Sequence, residues 1–391
     1  MKAITCYIAS YEVFLLVFLG FLTAFGPFVT DMYLPALPSM THWFGTSVSM
    51  IQLSLTACMV GLALGQLVFG PMSDRYGRRS VLLWTLSFFI VSTALCLFSS
   101  GINQFIVCRL AQGVAAAGSI VIARSIATDL FKGRELARIL GIVGSINGIA
   151  PVMAPVVGGA MTDSIGWQGI FIILALIGCL LLLSCFHFKE SLPRERRVQS
   201  QFTHVLSYFK PLFVNRTYMG YMSQLGFAQA ALFVNIASAP FIMQVHYGFT
   251  PFQFSLYFGL NALAIVISAA LAARFKRIEN GAMYGAYGLM FFSIGEMIAL
   301  FSGCSFWLYE CFILGILFSL GLCFTSATTL AMDSGRQYSG SASALLGAVS
   351  FAFGGLVSPL VGLGDQLKTT GILFVVCGFC VLICACIGRT R

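Results

Sequence analysis

Apolar stretches long enough to cross a lipid bilayer recur along this 391-residue chain with little polar sequence between them. A membrane-spanning helix needs about 20 mainly apolar residues, because ~30 Å of hydrocarbon is crossed at 1.5 Å per residue. Twelve stretches qualify, near 11–36, 47–70, 79–98, 103–125, 138–160, 166–187, 212–241, 251–273, 282–302, 307–330, 341–363 and 369–388. A soluble domain carries about 25% charged residues to coat its core. Here 9% are charged and 59% hydrophobic, so no polar shell can be assembled. In hydrocarbon a helix satisfies its own backbone groups. The expectation is an all-α membrane protein with 12 transmembrane helices.

The net charge of +9 comes from 22 Lys and Arg against 13 Asp and Glu. Gathered on one face it would suggest nucleic acid, but it is parcelled into short loops. With a cytoplasmic N-terminus, the inner loops hold Arg75, Arg78 and Arg79, then Arg124 to Arg138, Lys189 to Arg216, Arg274 to Arg277, and Arg336. Lys2, Arg389 and Arg391 add the termini, Lys368 alone falls outside, and Arg109 lies within a span. Cytoplasmic loops carry the excess of basic residues, so both termini are expected inside. Met1 to Tyr11 has one Lys and no A-x-A cleavage site, as an uncleaved first span would. The 13 cysteines lie in apolar segments, and Cys377, Cys380, Cys384 and Cys386 lack His or acidic partners. They read as small hydrophobes, with no metal and no cofactor implied.

Lys189 to Lys210 is the only long polar stretch, a cytoplasmic linker with a short surface helix. It divides the chain into 1–188, 189–211 and 212–391. RFKRIENG at Arg274–Gly281 echoes Asp74–Gly77, and the loop near Lys132 is matched near Arg336.

Charges inside spans mark function, since each costs at least ~2.5–3.5 kcal/mol at the bilayer centre. Asp31 sits in FGPFVTDMYLPALP near the outer end of the first span, and Arg109 in FIVCRLAQGVAAAG near the outer start of the fourth. Both lie roughly 8–9 Å below the outer surface at 1.5 Å per residue, so a coupled pair is geometrically open to them. A proton and a second ligand would then compete for one carboxylate. Alternatively, Asp31 caps a helix kinked beside Pro27 and Pro35, and Arg109 is a static tie between the two spans. Glu296 in the ninth span lies at similar depth. Glu310 reads as a water-facing rim residue and Glu12 as solvated at the inner interface.

Between the second and third spans, GLALGQLVFGPMSDRYGRRSVLL packs Gly70, Asp74, Arg75, Gly77, Arg78 and Arg79 into a tight hairpin. This G-x-x-x-D-R-x-G-R-R arrangement resembles the loop between spans 2 and 3 of the major facilitator superfamily. GSINGIAPVMAPVVGG in the fifth span, with Gly148, Pro151, Pro155, Gly158 and Gly159, is similar to the antiporter signature of its drug exporters, with Ala154 where glycine is usual. Small residues and bending prolines suit close helix packing equally well. TDMYLPALP, RLAQGVAAAG, RSIATDLF, GWQGIF and SGSASALLGAVSFAFGGLVSPLVG, with the hairpin, resemble the Bcr/CflA drug-resistance transporters.

The resemblance implies the major facilitator fold, two pseudo-symmetric six-helix bundles around a cavity lined mainly by spans 1, 4, 7 and 10. It implies that the acid at Asp31 binds substrate and proton, that Arg109 supports coupling, and that Glu296, on a supporting span, is a further candidate. Thr23 stands where some members carry a second acid, which argues against strongly cationic drugs. It also implies that Asp74 and its neighbours latch the halves in the outward-open state. There the carboxylate faces the N-terminal end of span 11 around Gly340–Ser343, where a helix dipole favours it; setting topology is the plainer role of the arginines. Tyr33, Asn147, Tyr221, Gln224, Phe227, Asn235, Asn261, Phe324 and Phe353 are the cavity candidates.

The expected function is a monomeric, proton-coupled multidrug efflux transporter of the bacterial inner membrane. It would export lipophilic antibiotics such as chloramphenicol- or bicyclomycin-like compounds by alternating access. Drugs, protons and the lipid bilayer are its partners, and no nucleic acid is. A facilitator moving an endogenous metabolite is the alternative. Nothing points to an enzyme: no H-E-x-x-H, intramembrane Ser/Lys or paired-acid arrangement is legible, and His42, His187, His204 and His246 lie near span ends or in loops.

Overall fold

The computed structural model describes residues 2–131, 133–197, 209–272, 274–335 and 339–389, excluding the side chains at 2–10, 133–138, 140–142, 144, 145, 147, 148, 196, 209, 210, 339–341, 343 and 344. The first half contains α1 (Lys2–Asp31), the short α2 (Leu37–Phe44), α3 (Val48–Tyr76), α4 (Arg78–Leu97), α5 (Ile102–Leu130) and α6 (Gly133–His187). After a 3-10 turn at Arg194–Arg196 come α7 (Phe209–Val214), α8 (Arg216–Phe241), α9 (Pro251–Ala272) and α10 (Ile278–Ser302). The chain continues through α11 (Phe306–Ser334), α12 (Ser339–Val357) and α13 (Gln366–Arg389).

Among the described residues, eleven helices are long and apolar enough to cross a membrane. The 55-residue α6 would be about 80 Å long as one rod, far beyond the ~30 Å of a bilayer core. It is two helices meeting at Gly166, whose φ of 65° only glycine adopts readily. That resolves the described chain into twelve spanning helices, with the break where the sequence places it, between 160 and 166.

Small residues set the closest crossings. Gly61 and Gly65 of α3 lie against the backbone of Leu110 and Val114 on α5, and Gly113 of α5 answers against Cys58. A side chain at any of the three would hold the helices apart. Ser47 caps α3 by accepting from the Met50 amide at 3.3 Å, and Asn215 caps α8 by accepting from Tyr218 at 3.0 Å. Helices before the linker pack on one another, as do those after it. The two sets meet along α6–α9 and α3–α12.

Those meetings lie at the end away from the α3–α4 hairpin. Thr56 donates to the Gly355 carbonyl at 2.9 Å, Gln52 to Ala237 at 2.5 Å and Gln244 to Pro35 at 3.0 Å. Gly159 abuts Pro251 and Ser255, and Gly362 abuts Ser49. The structure is thus closed at this far end.

Candidate functional site

A cavity of about 500 Å³ lies between the two sets of helices, within the range of drug-sized sites. Asp31, Thr23, Thr30, Gln66 and Arg124 line it from the first half, and Gln229, Asn235 and Asn261 from the second. Leu62, Ile120, Phe233, Phe258, Phe324 and Phe351 supply apolar wall. The Oε1 of Gln229 and Oδ1 of Asn235 are buried without a hydrogen-bond partner among the described residues.

Asp31 is the last residue of α1 and is 9% exposed. Among the described residues it forms no ion pair with Arg109. Arg109 is wholly buried and lies off the cavity lining. Its Nη2 donates to the Val29 carbonyl at 3.1 Å, its Nη1 donates to Gln112, and the guanidinium stacks 4.3 Å from the Tyr33 ring centre. The last carbonyls of a helix lack intrahelical donors and favour a cation. Arg109 therefore ties α5 to the final turn of α1, two residues before Asp31.

Of the cavity candidates, Asn235, Asn261 and Phe324 line the wall. Tyr33 instead lies under Arg109 with its hydroxyl 3.3 Å from Ser54 Oγ. Gln224 donates to the Ala282 carbonyl at 3.0 Å, linking α8 to α10. Tyr221 packs beside Gly388, and Phe227 meets Phe353 edge-on at 4.8 Å. The side chains of Asn147 and Gly148 lie outside the described residues. Pro151 faces the cavity, Pro155 is buried, Gly158 seats α6 against the Met32 carbonyl, and Gly159 seats it against α9.

Two charges sit elsewhere than the sequence suggests. Arg124, expected in an inner loop, is within α5 and faces the cavity. Glu310, expected as a solvated rim residue, is 6% exposed because it lies one turn into α11 where α10 covers it. Glu296 is fully buried on α10 and does not reach the cavity lining.

At the hairpin, Gly77 turns the chain with a φ of 96° and Arg78 becomes a hub. Its guanidinium pairs with Asp74 at 2.6 Å and Asp129 at 2.9 Å and donates to Ser73 Oγ at 2.6 Å. Glu190 accepts from the backbone amides of Arg78 at 2.9 Å and Arg79 at 3.2 Å, and pairs with Arg197 at 3.6 Å. The Arg79 side chain donates to the Phe186 carbonyl at 2.8 Å, Arg75 lies over Tyr76, and Gly70 lies near Val121. Sequence reading missed Asp129, inside the quoted RSIATDLF, and Glu190 at the linker start. The expected partner of Asp74 at 340, 341 and 343 lies outside the described side chains.

Residues 16–359 match the family model described as Major Facilitator Superfamily. The chain is 36% identical to the uncharacterized MFS-type transporter YdgK of Bacillus subtilis (strain 168), over 91% of each chain. It is 26% identical to the bicyclomycin resistance protein homolog of Haemophilus influenzae, covering 93% of this chain and 92% of that one. A solved bacterial homolog of the human lysosomal transporter Spinster, inward-facing and unoccupied, superposes with a TM-score of 0.77 at 16% identity, over 97% and 96% of the two chains. The chain belongs to the major facilitator superfamily and is a membrane transporter rather than an enzyme, related to that superfamily's drug-resistance members.

Proposed function

We propose that this protein is a proton-coupled exporter of lipophilic drugs, of the Bcr/CflA type, in a bacterial inner membrane. The observation that carries the reading is a lone carboxylate, Asp31, on the wall of a cavity between two helix sets that is otherwise lined by apolar side chains, amides, two threonines and the cation Arg124. Residues 1–188 and 212–391 rock as two bodies about that cavity, joined by 189–211. The basic loops assign the hairpin end and both termini to the cytoplasm, so the far-end-closed structure corresponds to the inward-facing state. Drug enters from the cytoplasmic side while Asp31 is ionised. After the halves rock, a proton arriving from outside neutralises Asp31 and the drug leaves. The amide side chains of Gln229, Asn235 and Asn261 on an otherwise largely apolar wall favour neutral amphiphiles carrying hydroxyl or amide groups, a class that includes chloramphenicol. Arg109 positions the last turn of α1 and so sets where Asp31 stands.

The test uses purified protein in proteoliposomes with an imposed proton gradient and chloramphenicol as the probe. Asp31→Asn should insert and fold as the parent does but lose chloramphenicol-driven proton exchange. Undiminished exchange in that variant refutes the assignment.

A further inference from the structure

The second half carries two buried carboxyl groups that the reading above does not use. Glu296 on α10 is fully buried, and neither of its oxygens has a hydrogen-bond partner among the described residues. Glu310 on α11 is 6% exposed, and its Oε2 is likewise unpartnered. Glu296 lies about 9 Å before the end of α10 and Glu310 about 6 Å after the start of α11. The connection at Gly303–Ser305 therefore brings them to one level, where the two helices touch: Gly295 abuts Phe312 and Gly315 abuts Phe292. The pairing is invisible in sequence because it depends on how two apolar helices are rotated against each other.

Beside Glu310 stands Tyr309, whose ring lies 5.7 Å from that of Tyr247; the Tyr247 hydroxyl donates to the Cys304 carbonyl at 3.1 Å. From α13, which packs on α10, come the buried Thr370 and Cys377. The basic groups of this end do not neutralise the pair: His246 is exposed, and Lys368 is exposed and paired with Asp365 at 3.9 Å. Two carboxylates cannot both ionise beside each other in a low-dielectric site without a counter-charge. On the cavity side, Asn261 of α9 lines the central cavity and lies near the level of Glu310, between the Tyr257–Phe306 and Ile265–Gly321 contacts that seat α9 on α11.

We propose that Glu296 and Glu310 form a proton-binding site in the second half, both carboxyls protonated at rest and one of the two protons exchanged with cavity water beside Asn261. In the exchange one O–H bond breaks, a cavity water accepts the proton, and one carboxylate remains next to its neutral partner. That this proton contributes to transport rests on the export reading; that the site binds it does not.

The test is infrared spectroscopy of the full-length protein reconstituted in lipid at neutral pH, in H2O and after transfer to D2O. A band from a protonated carboxyl should be present in the parent and retained in Asp31→Asn. It should be lost in the Glu296→Gln/Glu310→Gln double variant. Asn261→Leu should keep the band and slow its shift in D2O. If the double variant does not insert, Glu310→Gln alone should shift or abolish the band. A band unchanged in the double or the single variant overturns the proposal, as does unslowed exchange in Asn261→Leu. A parent band that appears only when sodium is withdrawn also overturns it, identifying a sodium site instead. Failure of Asp31→Asn in transport leaves these outcomes untouched, so the two readings fall separately.

Discussion

Replacing Thr56 with valine should open the far end of the transporter. In α12 the Gly355 carbonyl would ordinarily accept from the amide four residues on, but that residue is Pro359, which has no N–H. The Thr56 hydroxyl supplies the missing donor across the interface between halves, at 2.9 Å. Valine keeps the shape and removes the donor, leaving a carbonyl unsatisfied only while the far end is closed; once it opens, water takes over. An orphaned carbonyl costs about 1–3 kcal/mol. A shift of ~2 kcal/mol is about 30-fold in the conformational equilibrium, enough to raise a state populated at about 3% to about half. Spin labels at the exposed Phe98 and Leu363, far-end residues of opposite halves, would read it as a longer distance by pulsed electron resonance. Thr56→Ser, which keeps the hydroxyl, is the control. Gln52→Leu should do less, because Gln52 already buries an unpartnered Oε1 that the substitution removes. A Thr56→Val distance distribution matching that of Thr56→Ser would refute this account of the gate.

At the hairpin, Arg78→Ala should lower thermal stability by about 3 kcal/mol, because it strips the cation from Asp129, itself only 16% exposed, and leaves it the Ser191 hydroxyl at 3.1 Å. Asp74→Asn should cost under about 1 kcal/mol, since that carboxylate is 45% exposed; equal losses in a heat-challenge size-exclusion assay would sink the distinction. In α6, Gly158→Ala drives a Cβ into the Met32 carbonyl and should cost about 1–3 kcal/mol and folded yield. Gly347→Ala, with open space around it, should be silent in the same measurement.

What the sequence disclosed and what it hid divide along a physical line. Span number and the break near Gly166 follow from counting residues against bilayer thickness, and these were legible. Which way a side chain points was not. Helices apolar all round give no contrast from which to read rotation, so Tyr33 and Gln224 looked like cavity polar groups while they bind Ser54 and the α10 backbone. Arg124 and Glu310 lie one or two turns inside helix ends, where a charge reads equally as loop, rim or interior. Thr56 and Gly355 are 299 residues apart. The only local clue to their bond is Pro359, whose missing N–H leaves a carbonyl free but does not name the donor.

The stretch from Val29 to Pro35 explains why a carboxylate here can govern a gate. Val29 is held through its carbonyl by the buried Arg109. Asp31 follows at the cavity wall, and Gly158 presses on Met32. Pro35 then accepts the Gln244 amide from the other half. Anchor, cavity carboxylate, helix crossing and inter-half bond thus occupy seven consecutive residues. A coupling argument needs a physical element with two arrangements that both sites bias. This segment meets the first requirement, because a shift of the α1 end at Asp31 cannot leave the Pro35–Gln244 bond unaffected while Arg109 fixes the turn behind it. It meets the second only if that bond breaks when the far end opens. The labels at Phe98 and Leu363 can detect this: Asp31→Asn, which mimics the neutral carboxyl, should move the distance distribution in the same direction as Thr56→Val.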